Sequence, residues 1–369
     1  MSYGNMRIKV LLNAALIVSL LLSGCGVLGG KTESRPAGEE WAQGDPSMYG
    51  LDGSESQKLK NFLIHNTFAT GVLVLGDGKE IFSFGALDRV SYIASCRKSI
   101  LAMMYGKYVE NGTIDLSKTL EELGVDDIGG LLPIEKKATV LDLITARSGC
   151  YHPASNAGSN PNKPERGTKE PGTYFLYNNW DFNLAGALFE QLTGKNIYDA
   201  FYEDIGQYIG LQDWNREIHV KGGDLTLSKY PSYHFHLSTR DMARIGYLML
   251  RHGNWNGRQL VSEDWCRRIT TESSSWEEVN SSYNEEGRYS YGYMWWLFDD
   301  KCKDNSPYLH GAYTARGSMG QNITVIPELD MVVAFKTDSI YGRATSQKKY
   351  FEFLDLLLSF IERKWVNSE

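Results

Sequence analysis

From residue 50 onward the spacing of apolar positions changes several times, and each change marks an element. Over 54–66 apolar residues recur at helical spacing, which predicts a short amphipathic helix. The stretch "TGVLVLGDGKEIFSFG" (70–85) then gives two β-rich runs around Asp77-Gly78, a hairpin signal because the turn needs residues that tolerate positive φ. At Ser95 the period becomes 3.6, with Ile100, Leu101, Met104 and Tyr108 spaced to bury one side of a helix that Asn111-Gly112 closes. From about 113 to 250 the pattern is mainly helical and broken by polar loops, and three apolar-periodic segments there end at or just before glycine. Beyond 288, "YSYGYMWWLF", "NITVIP" and "DMVVAFKT" read as strands, followed by an apolar-striped helix over about 345–365. Sheet segments near both ends flank a helical middle, so the expected fold is mixed α/β with a large helical insertion over about 113–250. A loop over 150–173, punctuated by Pro153, Pro161, Pro164 and Pro171, is too long for a connector and is expected to border a binding surface.

The first 49 residues follow another logic. Arg7 and Lys9 precede the apolar run "VLLNAALIVSLLL" (10–22), whose thirteen residues fall short of a membrane span, for which ~20 are needed. Leu22-Ser23-Gly24-Cys25 resembles the lipobox of bacterial lipoproteins, in which the signal peptide is cut before a cysteine that then receives a lipid. That resemblance implies a signal peptide over 1–24, lipidation of Cys25, a Gly/Pro-rich flexible tether over 25–49 and a folded domain over 50–369. It also implies export and attachment to a bacterial cell membrane, on the periplasmic or outer surface; an ordinary secretory signal or a buried helix is the alternative.

Composition removes several functions. The net charge of −7 is spread along the chain without a Lys/Arg block, so no footprint for nucleic acid is present. Cys96, Cys150, Cys266 and Cys302 are widely and irregularly spaced, and His234 and His236 alternate as on a strand without acidic or thiol companions. Neither pattern is a metal motif, and no metal or cofactor is expected. Disulfide pairing and oligomeric state stay open.

The candidate chemistry lies in "SYIASCRKSI" (91–100), where Ser95 sits at a predicted helix start and Lys98 one turn further on the same face. A serine hydroxyl needs a nearby base, and a helix N-terminus favours developing negative charge. Ser95 is therefore either a nucleophile or a helix cap. Ser346-Gln347-Lys348-Lys349 has the same S-x-x-K form, so spacing alone does not decide. A second element, Tyr177-Asn178-Asn179, lies in "PGTYFLYNNWDFNLAG" (171–186), just before a helix.

Taken together, these two elements resemble those of the serine β-lactamase and penicillin-binding-protein superfamily, and in particular its class C β-lactamase, esterase and 6-aminohexanoate-dimer hydrolase branch. The resemblance extends over about 55–360. It implies a mainly antiparallel sheet flanked by N- and C-terminal helices, and an acyl-enzyme formed on Ser95. Lys98 and Tyr177 would manage the proton, and Asn179 would orient Lys98 and the substrate. The family's third element is a Lys or His, a hydroxyl residue and a glycine on a strand beside the nucleophile. Placing Ile326-Pro327 at the family's strand end puts Ala312-Tyr313-Thr314 there, so K-T-G is missing, and the resemblance implies that Ala315 would supply the second oxyanion N–H. A shifted register would use His310-Gly311-Ala312 instead. Because K-T-G helps bind the carboxylate of β-lactams, its absence implies a small ester or amide substrate. Arg316 stands too far along the strand to replace the lysine directly, while Tyr151, Tyr174, Trp295 and Trp296 are candidate walls of an apolar cleft. Two alternatives remain: the same machinery acting on β-lactams or cell-wall peptides, and a non-catalytic surface binding module.

Overall fold

The computed structural model describes residues 39–156, 162–279, 284 and 287–366. Cys25, the signal segment and the first part of the tether lie outside the described residues. The chain runs α1 (Gly53–Asn66), β1 (Gly71–Gly76), β2 (Lys79–Gly85), β3 (Ser91–Tyr92) and α2 (Cys96–Glu110). Next come α3 (Val140–Ile144), α4 (Asn179–Thr193), α5 (Ile197–Phe201), α6 (Gln207–Ile209), β4 (Val220–Gly222), β5 (Ser232–His234), β6 (His236–Leu237) and α7 (Thr239–Leu250). The last third holds β7 (Asn254–Trp255), β8 (Arg258–Gln259), α8 (Glu263–Ile269), β9 (Tyr289–Tyr291), β10 (Trp296–Phe298), β11 (Tyr313–Gly317), β12 (Gln321–Ile326), β13 (Met331–Lys336) and α9 (Gln347–Val366).

The central sheet has the order β2-β1-β13-β12-β11-β10-β9, with antiparallel pairing throughout. The N-terminal and C-terminal ends of the domain meet in its middle, since β1 pairs with β13 from Gly71↔Lys336 to Gly76↔Met331. This is the mixed, mainly antiparallel α/β architecture the sequence implies. The hairpin turn at Asp77-Gly78 takes φ of 49° and 68°, the positive values its residues were chosen to tolerate.

Both faces of the sheet are covered, which explains why its strands read as unbroken apolar runs instead of alternating ones. On β13, Val332 faces Gly246 of α7, where a Cβ would come within 2.5 Å of it. Three positions along the strand, and therefore on its other face, Phe335 packs on Tyr350 and Phe353 of α9, with ring centroids at 5.2 and 5.5 Å. α7 therefore belongs to the sheet layer, and the helical insertion proper ends before it. α2 lies on β11 and β12, and its first turn is pinned by Cys96, whose thiol donates to the carbonyls of Ala315 (3.4 Å) and Gln321 (3.5 Å). The cysteines Cys96, Cys150, Cys266 and Cys302 are all unpaired.

The insertion carries its own cluster of rings: His219 stacks between Trp214 (3.9 Å) and Tyr198 (5.5 Å), and His219 Nδ1 accepts the His236 backbone N–H at 3.1 Å. Burial holds the imidazoles of His219 and His234 down, to about 3 and about 4. Both folded values lie below the unfolded one, so neutral imidazoles stabilise the fold above ~6.5, and that stability is lost as pH falls toward the folded values. Melting temperature should therefore decline steadily between about pH 6.5 and 4, and His219→Phe, which keeps the stack, should flatten that slope. An unchanged slope in the variant would assign the decline to other groups.

Candidate active site

Ser95 stands at the N-cap of α2, yet its side chain makes no capping hydrogen bond. The turn delivering it is strained: Ala94, a residue with a Cβ, has φ of 48°. Lys98, one helical turn on, is 1% exposed. Its Nζ lies 2.7 Å from Tyr177 Oη and 2.8 Å from Asn179 Oδ1. The amine also rests over the rings of Tyr177 (4.0 Å) and Phe182 (4.3 Å). Burial holds the Lys98 ammonium well below its ordinary value, and the neighbouring Arg97 guanidinium adds to this, against the opposing pull of Asp181.

The Tyr177 loop is set by the next residue. Asn178 is the N-cap of α4: its Oδ1 accepts the Trp180 N–H at 3.3 Å, and its Nδ2 donates to the Cys150 carbonyl at 2.8 Å. Asn178 thus carries the capping role, which leaves Asn179 on the first turn of α4 to meet Lys98. The second S-x-x-K has the opposite fate. Ser346 Oγ accepts the Lys349 N–H at 3.3 Å, and Lys349 Nζ pairs with Glu352 at 2.6 Å. That serine caps α9, and its lysine is a surface ion-pair partner.

A cavity of about 470 Å³ opens over this group, lined by Ser95, Tyr177, Asn179, Trp296, Arg316, Gly317 and Ser318 among others. Its β11 wall corrects the expected register. A Cβ added to Gly317 would meet Ile93 O at 2.5 Å and Ser95 N at 3.1 Å, so Gly317 is the strand residue that must lack a side chain beside the nucleophile. The triplet next to Ser95 is accordingly Ala315-Arg316-Gly317, three residues beyond Ala312-Tyr313-Thr314. Ala315 is fully buried, pairs with Ile323 inside the sheet and does not line the cavity; the residue after the glycine is Ser318. The alternative centred on His310 fails as well, because that side chain is 73% exposed and paired with Asp300 at 2.8 Å, away from the cavity.

Among the proposed walls, Arg316 lines the cavity, with Nε donating to Gln347 Oε1 at 2.9 Å. Trp295 does not: it is 0% exposed and packs edge-on against Tyr313, while its neighbour Trp296 takes the cavity side, 5.2 Å from the Tyr177 ring. Tyr151 is buried elsewhere, and Tyr174 donates to the Asn162 carbonyl at 3.3 Å; neither reaches the cavity. Asn156, from the long loop expected to border a binding surface, does line it, and so does Arg97, which no sequence signal marked. Among the described residues no cluster of His, Cys, Asp or Glu is suited to a metal ion.

The model for the beta-lactamase family matches residues 59–350, from α1 through the start of α9. The chain belongs to the beta-lactamase family. It is 23% identical over 274 residues to the 6-aminohexanoate-dimer hydrolase of Paenarthrobacter ureafaciens, covering 67% of this chain and 66% of that protein's length. A solved Bacillus anthracis protein, provisionally named a 6-aminohexanoate-dimer hydrolase, superposes with a TM-score of 0.65 at 18% identity, over 90% of each chain. EstCE1, a hydrolase with promiscuous acyltransferase activity, gives 0.61 at 14% identity, over 85% of this chain and 99% of its own. The beta-lactamase-like fold and a place among its hydrolases are thus established for this chain.

Proposed function

We propose that the protein is a serine hydrolase that forms an acyl-enzyme on Ser95 and cleaves small esters or amides. The observation carrying this reading is the buried Lys98 amine, held below its ordinary value and within hydrogen-bond reach of Tyr177 and Asn179 at the base of a cavity lined by Ser95. In this reading neutral Lys98 and Tyr177 take the proton as Ser95 Oγ attacks the carbonyl, and Tyr177 returns it to the leaving group. Asn179 holds Lys98 in place. The oxyanion faces the backbone N–H groups of Ser95 and Ser318, each worth about 3 kcal/mol in the transition state if lost. Water then hydrolyses the acyl-enzyme by the reverse proton path.

The test sets a fluorophosphonate probe beside p-nitrophenyl butyrate and nitrocefin. The wild type should take the probe and turn over the butyrate, and Ser95→Ala should do neither. Ester turnover that survives in Ser95→Ala sinks this reading, and efficient nitrocefin turnover would move the substrate to β-lactams. A wild type inert to all three reagents would leave the fold as a binding module.

A further inference from the structure

Arg97 has no part in the proton path just described, yet it is the most unusual charge in the site. Its side chain is 1% exposed. Nη2 donates to Asn183 Oδ1 at 3.1 Å, and the guanidinium lies 4.1 Å from the centre of the Tyr233 ring. Among the described residues, no acceptor other than the neighbouring Tyr233 hydroxyl is placed to meet Nε or Nη1. Burying a guanidinium with donors unmet and no carboxylate in contact is costly, and residues of this kind persist where something else supplies the missing acceptor.

The cavity says what that acceptor is. Among the described residues, Arg97 and Arg316 are the charged side chains on its lining and no Asp or Glu lies there, although the chain as a whole carries a net −7. A concave site walled by cations and aromatic rings favours an anion. The two arginines are not equivalent. Arg316 spends its Nε on Gln347 and lies 5.4 Å from the Trp296 ring centre, whereas Arg97 keeps two nitrogens without acceptors other than the Tyr233 hydroxyl, with the amide of Asn156 also on the wall. One guanidinium with two unmet nitrogens suits a singly charged carboxylate better than a phosphate dianion, which calls for more donors.

We propose that Arg97 binds a carboxylate carried by the substrate, so that the enzyme selects esters or amides of acidic compounds. This rests on the acyl-enzyme reading above. The carboxylate belongs either to the acyl group or to the leaving group, and paired esters separate the two: p-nitrophenyl hemiglutarate against p-nitrophenyl butyrate, and 4-carboxyphenyl butyrate against phenyl butyrate. In one pair the wild type should favour the acidic ester in kcat/KM by about 10- to 100-fold, the factor a hydrogen-bonded charge supplies. The acid-to-neutral ratio should fall to near one in Arg97→Gln, persist in part in Arg97→Lys and survive in Arg316→Gln. No acidic preference in either pair overturns the proposal, and so does a preference lost in Arg316→Gln but kept in Arg97→Gln. A measurement on the wild type alone guards against a misfolded variant: at constant ionic strength, glutarate should slow fluorophosphonate labelling of Ser95 and glutaramide should not. Equal protection by the two overturns the proposal as well. Ser95-dependent hydrolysis of the neutral ester without acidic preference fails Arg97 alone, while absence of Ser95 chemistry fails both readings.

Discussion

Replacing Lys98 by methionine should lower kcat/KM for p-nitrophenyl butyrate by about 10²–10⁴-fold, the usual contribution of a general base, while leaving the fold intact or slightly more stable. The two halves of this expectation share one cause. Lys98 is fully buried and held below its free value, so the folded chain binds fewer protons than the unfolded chain between the two values. Stability therefore rises with pH across that window, and at pH 7 the buried amine is a cost. Methionine fills nearly the same volume without that cost. Tyr177 Oη and Asn179 Oδ1 lose their partner in the variant, but both residues line an open cavity, where water replaces it. Thermal melting should show a rise of ~1–3 °C, the change that roughly 1 kcal/mol gives in a chain this long. In the wild type, kcat/KM should climb with pH through the lowered amine value, and Lys98→Met should lose that limb. Activity within tenfold of wild type would remove Lys98 from the proton path.

Much of this site was legible because S-x-x-K and Y-x-N are short, local and anchored to helix starts, which apolar period and capping chemistry locate well. Ser95, Lys98, Tyr177 and Asn179 are brought together as the sequence implied, and the rival Ser346 differs only in bonds that no sequence displays: its hydroxyl accepts from Lys349 N–H, while that of Ser95 caps nothing. The β11 wall was read three residues out of place for a physical reason. All of Tyr313–Gly317 except Arg316 is buried, since α2 and α9 cover both faces of the sheet here. A strand buried on both faces has no alternation to fix its register. The turn into β12 passes through Met319 at φ 66°, a conformation methionine does not advertise; the glycines Gly317 and Gly320 flanking it were the available signal.

The aromatic walls failed for a related reason. Trp295 and Trp296 are adjacent, so only one of them faces the cavity, and their spacing does not say which. Arg97 was invisible because α2 is buried around most of its circumference: Cys96, Arg97, Lys98 and Ser99 are all buried. On such a helix a charged residue cannot be assigned to a solvent face by period.

Gly317→Ala adds a single carbon and should nevertheless damage catalysis severely. The new Cβ would lie 2.5 Å from Ile93 O, 2.9 Å from Gln321 Cβ and 3.1 Å from Ser95 N. Two of these are backbone atoms of the strained turn that holds Ala94 at φ 48°, and they have no rotamer through which to withdraw. Relief comes only by moving β11 away from α2, which carries Ser318 away from Ser95 and opens the gap between the two proposed oxyanion donors. A displacement near 1 Å at such a site costs about 10²-fold, and a lost donor 10²–10³-fold, so kcat/KM and the rate of fluorophosphonate labelling should fall together by roughly that much. The fold should lose only about 1–3 kcal/mol, the typical penalty of overpacking. Gly311→Ala supplies the contrast. Gly311 has φ of 67° but open space around its missing Cβ, so the substitution strains the backbone without touching α2. It should lower the melting temperature and leave labelling unchanged. If Gly317→Ala labels at the wild-type rate while melting no lower than Gly311→Ala, the contact between β11 and the Ser95 turn is not what builds the site.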